Sequence, residues 1–174
     1  MRTHLFLGLL MGGLALAPTA SMASEMRACP SEAATPASNA WNFQQEAARL
    51  LHQIQTDALE AKTNADILET YTRDPMVDWQ GDALYLSNIT GNIEEMDKAV
   101  CRLEAIHQVI APEEQQKTDE AAALVREISV NTNEAVQFLK EHREALWMPA
   151  YRTYAMNIYT EAQQLAQTMK KPVG

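Results

Sequence analysis

The chain has 174 residues, with Lys+Arg 14, Asp+Glu 23 and a net charge of −9, which becomes −10 once the first 23 residues are set aside, because Arg2 is their only charged side chain. So acidic a chain is repelled by phosphate backbones and anionic membrane faces, which argues against a nucleic-acid partner. Hydrophobic residues at 47% with only six glycines and seven prolines exclude a low-complexity or collagen-like polymer, and one compact domain is expected.

Met1 to His4, with Arg2, form a short basic start, Leu5 to Ala17 an apolar run, and Ser21 and Ala23 occupy small-x-small positions after Pro18. This is the pattern of an export signal over residues 1–23, cleaved after Ala23. The apolar run falls short of the roughly 20 residues a spanning helix needs, and no later run is continuously apolar. A soluble mature protein without a transmembrane segment is therefore expected, in the periplasm or outside the cell. Two cysteines, Cys29 and Cys101, remain after cleavage. In an oxidising compartment a single disulfide between them is the simplest outcome. Glu25 and Arg27 separate Cys29 from the apolar run, which speaks against a lipid anchor there.

Residues 24–38 are rich in Ala, Ser, Thr and Pro without periodicity and read as a tail. A first helix is expected over 39–73, where Ala47, Leu51, Ile54, Ala58, Ala61, Ala65 and Leu68 recur at steps of four and three. The second spans 76–110, starting at Pro75 or after Asp78, with Ala83, Leu86, Thr90, Ile93, Met96, Val100, Leu103 and Ile110 inward. The third spans 112–146, opened by Pro112, Glu113 and Glu114, with Ala121, Val125, Ile128, Thr132, Ala135, Leu139, His142 and Leu146 inward. The fourth, 149–171, carries Tyr151, Ala155, Ile158, Ala162, Leu165 and Met169. Breaks at X-Pro with short connections set consecutive helices side by side, so the expected fold is all-α: an up-down-up-down antiparallel four-helix bundle over 39–171 with a shorter fourth helix.

The residues name no chemistry. After cleavage only Gly81, Gly91 and Gly174 remain, too few for a phosphate cradle, and there is no Gly-x-Ser-x-Gly, His-Glu-x-x-His or Cys-x-x-Cys-His. No catalytic residue and no metal site are expected. Glu104 and His107 form the one Glu-x-x-His, where a di-iron bundle needs two, and bundle geometry holds His52, His107 and His142 too far apart to share a metal.

Weaker signals gather at the end of the bundle that holds the breaks at Pro75 and Pro149. Tyr71, Trp79, Tyr85, Phe138, Trp147, Tyr151, Tyr154 and Tyr159 fall within about 18 Å of it, with Met76, Met148 and His142. Trp79, Trp147 and Tyr151 are expected to meet there, either as an aromatic cap or as a pocket for a small apolar ligand formed by Tyr71, Met76, Trp79, His142, Trp147, Met148, Tyr151 and Tyr154. The sharp form of the pocket reading is a haem b held by His142 and a methionine. In fold and in having both ligand types the chain then resembles periplasmic four-helix cytochromes of the b type, though no spacing motif accompanies the resemblance. Thr90 and Thr132 interrupt the apolar seams at nearly the same height among Asn88, Asn92, Asn131 and Asn133, as a polar core layer that fixes helix register or, alternatively, a shallow solute site. Asp74, Asp78 and Asp82, at steps of four, read as a solvated face with weak calcium binding as the alternative.

At the opposite end the short fourth helix leaves Trp41, Leu103, Ile106, Ile110, Ala121 and Leu124 with an open side, and the tail, pinned by Cys29 to Cys101, is expected to lie across it. The function these features favour is a non-enzymatic binding or interaction module of the cell envelope, monomeric or homodimeric, working on an envelope protein partner or on a small ligand at the aromatic end.

Overall fold

The computed structural model describes Cys29 and residues 40–170 apart from Pro75 and Val77. The expected export signal over residues 1–23, the rest of the expected tail and the side chain of Trp41 lie outside the described residues. Four helices are present: α1 (Ala40–Tyr71), α2 (Trp79–Ile106), α3 (Pro112–Glu141) and α4 (Pro149–Lys170), with a 3-10 turn at His107–Val109 between α2 and α3. Each helix packs on the next and α4 closes against α1, while α1 and α3 meet only along the diagonal. That is the four-helix bundle the periodicity predicts. Among the described residues there is no strand, and no helix is long and apolar enough to cross a membrane.

The α1 seam is buried at all seven expected positions, from Ala47 to Leu68. Four of these are alanines, so the helices approach closely and the isoleucines and leucines of the other three fill the space between them. In α2 the buried row is Leu86, Ile89, Ile93, Met96, Val100 and Leu103. Thr90 is exposed, which corrects its expected inward position. A seam through Ile89 or through Thr90 satisfies the same spacing, and burying the isoleucine rather than the hydroxyl decides between them.

The helix ends are shorter than the periodic runs. Asp78 caps α2, accepting from the Gln80 backbone N–H at 3.3 Å, so of the two expected starts the helix takes the one after Asp78, at Trp79. It ends at Ile106, where the 3-10 turn takes over and Gln115 Nε2 donates to the free carbonyls of His107 and Ile110, at 2.7 and 3.2 Å. Glu114 accepts from the Ala111 backbone N–H at 3.0 Å and opens α3. α3 stops at Glu141 instead of 146. His142 caps it with φ −133°, ψ 43°, and its side chain turns out to solvent, correcting its expected inward place. The link from His142 to Met148 can therefore wrap over the end of the bundle.

At the end of the bundle opposite Pro75 and Pro149, Leu103, Ile106, Ile110, Ala121 and Leu124 are buried. Cys29 is disulfide-bonded to Cys101 with Cα atoms 5.4 Å apart, as the clasp requires; the path of residues 30–39 lies outside the described residues.

Candidate functional site

Two links meet at the end of the bundle that holds Pro75 and Pro149. Between α1 and α2, Asp74 accepts from the Met76 backbone N–H at 2.9 Å, and Thr72, fully buried, receives Arg152 of α4 through Oγ1 (3.1 Å) and its carbonyl (3.2 Å). That clamp fixes the first link against α4. Facing it is the 142–148 link. Between them lies a pocket of about 280 Å³ lined by Tyr71, Asp74, Asp78, Trp79, Asp82, Arg143, Glu144, Leu146 and Trp147.

Gly81 helps form one wall: a Cβ there would sit 2.9 Å from Tyr71 Cε2, so any other residue would have to displace the Tyr71 ring from its seat on α2. Tyr71 in turn meets Tyr85 edge-on, ring centroids 5.5 Å apart. The Arg143 guanidinium stands 4.5 Å from the centroid of Trp79, in cation–π geometry. Trp147 is 55% exposed and Met148 is also exposed. Trp147 is thus a pocket wall and not core.

The charge in this pocket is strongly one-sided, with four carboxylates and one guanidinium in the lining. Asp82 is buried and accepts from the Tyr151 hydroxyl at 3.3 Å. Burial pushes its carboxyl up to about 6, against the opposing effect of hydrogen bonds from Tyr151 and from its own backbone. Burial, with the Asp82 charge and hydrogen bond, pushes the Tyr151 hydroxyl up as well. Tyr151 is completely buried and stacks on Phe138 at 5.5 Å, and Phe138 also contacts Tyr154. Trp79 and Trp147 therefore share the pocket, while Tyr151 lies behind it and reaches it through Asp82.

The expected haem ligands lie outside the pocket lining. His142 packs its ring on Phe138 at 4.6 Å, Met76 is 88% exposed on the turn, and neither these two nor Met148 lines the pocket. A haem needs a slot at its axial ligands, and these residues do not fit one. Nor do the acids converge on calcium. Among the described residues the one trio of His, Cys, Asp or Glu donors within 4.8 Å of one another is Cys29, Cys101 and Glu104. His107 instead faces Asp119 at 3.3 Å, and His52 faces Gln55 at 3.4 Å.

The polar core layer is half present. Thr132 is buried and Thr90 is not, and each hydroxyl donates to its own helix, to the carbonyls of Ile128 and Leu86, both at 2.8 Å. The asparagines work at the outer seams. Asn131 Nδ2 donates to both oxygens of Glu161 (2.9 and 3.1 Å) and Asn157 Nδ2 donates to Asn131 Oδ1 (3.0 Å), tying α3 to α4. Burial pushes the Glu161 carboxyl up to about 7, Asn131 opposes the shift, and Glu127 adds to it. Asn92 Nδ2 donates to Glu60 at 3.1 Å and ties α2 to α1. Sequence reasoning missed Arg143, Glu144 and Glu161. Arg143 and Glu144 read as a helical last turn, and Glu161 carries no motif.

Comparison with models of known families, with curated proteins and with solved structures gives no match.

Proposed function

We propose that this protein is an exported, non-enzymatic binding module whose ligand is a small organic cation with an apolar or aromatic body, held in the pocket between the 72–78 and 142–148 links. The observation that carries the reading is the lining itself: Trp79, Trp147 and Tyr71 supply aromatic walls, and Asp74, Asp78, Asp82 and Glu144 supply negative charge. Aromatic faces and carboxylates together are the chemistry that recognises ammonium groups. Arg143 supports it from within the chain, because its guanidinium already rests on the Trp79 face. The dispersed carboxylates suit a cation spread over several atoms better than a metal ion, which needs its oxygens within one small shell. The haem reading has no comparable support.

The test is calorimetric titration of the purified mature chain with phenethylammonium, against phenylacetate as an anion of similar shape. Binding of the cation alone is expected, weakened at least about fivefold in Asp78→Asn, the size of a typical charge-assisted contact. Equal binding of the anion, or an unchanged affinity in Asp78→Asn, would overturn the reading. So would failure to bind either compound while the chain co-purifies stoichiometrically with one envelope protein.

A further inference from the structure

A second set of ligating atoms stands away from the pocket. Cys29 Sγ, Cys101 Sγ and a Glu104 carboxylate oxygen lie within 4.8 Å of one another. Cys101 and Glu104 are three residues apart in α2 and so share one face of that helix. Cys29 reaches the same face from the tail. Cys29 and Glu104 are exposed and Cys101 is half-buried, so solutes reach the cluster.

The Glu104 oxygen is 3.4 Å from Cys29 Sγ. A disulfide sulfur has no proton to donate, so in the oxidised chain this contact sets a carboxylate against sulfur lone pairs and yields no hydrogen bond. A thiol at position 29 could donate to that carboxylate, and a cation held by both sulfurs would draw the carboxylate in as a third ligand. Glu104 is thus placed to serve the reduced pair rather than the disulfide.

We propose that Cys29, Cys101 and Glu104 form a zinc-binding site when the disulfide is reduced. A small dithiol supplies two electrons and two protons: the S–S bond breaks, two thiols form, and the reductant leaves as its own disulfide. Zn²⁺ then displaces both thiol protons to solvent and takes two thiolates and the carboxylate, with water in the fourth tetrahedral position. Zn–S bonds near 2.3 Å require the sulfurs to part to about 3.7 Å, which rotation of two side chains supplies. Two sulfurs with one oxygen suit zinc, whereas calcium and magnesium take oxygen shells.

The experiment uses the full mature chain, oxidised and reduced by a phosphine that leaves no competing thiol, titrated with Zn²⁺ against a chromophoric chelator while helicity is followed. Cd²⁺ serves as a second probe because its thiolate bonds absorb in the near ultraviolet. The expected result is one Zn²⁺ per reduced chain, none at this site in the oxidised chain, and affinity lower by about tenfold or more in Glu104→Gln, at least what losing an outer-sphere carboxylate costs a zinc site. If reduction lowers helicity, Zn²⁺ restores it at lower concentration in the native chain than in Glu104→Gln. Equal affinity of native chain and Glu104→Gln, one Zn²⁺ shared by two chains, or Zn²⁺ binding unaffected by oxidation would each overturn the proposal. These outcomes are independent of whether the pocket binds organic cations.

Discussion

Tyr151 and Asp82, sixty-nine residues apart, meet through a 3.3 Å hydrogen bond at the buried end of the bundle, the tyrosine wholly inaccessible and the acid at 2% exposure. The bond joins α4 to α2 and carries the pocket's charge into the core. Removing the donor leaves a buried carboxyl without its partner, which costs about 1–3 kcal/mol. Tyr151→Phe should lose that much in urea denaturation at pH 7.5, and Tyr151→Phe combined with Asp82→Asn should lose less. A single variant indistinguishable from the native chain would show that the bond contributes nothing.

Stability should fall as pH rises across the mildly acid range. Asp82 ionises near 3.8 in the unfolded chain and near 6 in the fold, and Glu161 near 4.5 and 7. Between these values the folded chain keeps protons that the unfolded chain has released, so rising pH favours unfolding from roughly pH 4 to 7. Glu161 is partly solvated and contributes about 1–2 kcal/mol rather than its full shift, and the buried Asp82 contributes up to about 3 kcal/mol. Denaturation midpoints at pH 5 and pH 7.5 check this: the midpoint is lower at pH 7.5, and Asp82→Asn with Glu161→Gln flattens the slope. Binding of a cation moves oppositely, strengthening from pH 5 to 7.5 as Asp82 ionises.

The two helical glycines should respond differently to alanine. Nothing stands within 4 Å of a Cβ at Gly91, so Gly91→Ala should gain about 0.5–1 kcal/mol from helix propensity. At Gly81 the same change drives a methyl into the Tyr71 ring, offsetting that gain and shifting the ring off α2. Thermal unfolding of both variants, with near-ultraviolet circular dichroism for the tyrosine environment, distinguishes them.

Trp147 separates packing from binding. At 55% exposure its replacement by alanine should cost under about 1 kcal/mol of stability, well below the roughly 3–5 kcal/mol of a core tryptophan. The same variant should bind phenethylammonium more weakly, because a pocket wall is gone. A large stability loss would place the ring in the core instead.

Most of the fold is legible in the sequence because Ala47 through Leu68, and the rows in α3 and α4, keep one spacing across several turns with no competing register. The second helix is where this fails: Ile89 and Thr90 fit the same pattern, and only packing against neighbouring helices selects the isoleucine. The pocket is legible in part. Asp74, Asp78 and Asp82 stand at steps of four and announce a shared location, which the pocket keeps although Asp74 and Asp78 lie in the link before α2. Their opposite wall does not, because His142 and Leu146 continue the α3 row and carry Arg143, Glu144 and Trp147 along as helical residues, and nothing local marks His142 as the cap that turns them over the end of the bundle. The exposure of Met76 and His142 follows from the same two turns.

The central claim, a cation site between the two links, is tested most directly by the indole N–H resonances of the ¹⁵N-labelled chain from residue 24 onward. The three tryptophans divide between the ends of the bundle: Trp79 and Trp147 line the pocket, and Trp41 lies in the first turn of α1. Addition of phenethylammonium to about 10 mM, ample for a millimolar dissociation constant, should shift the signals of Trp79 and Trp147 and leave that of Trp41 in place. Equal shifts at all three, a shift confined to Trp41, or no shift at all would contradict the account.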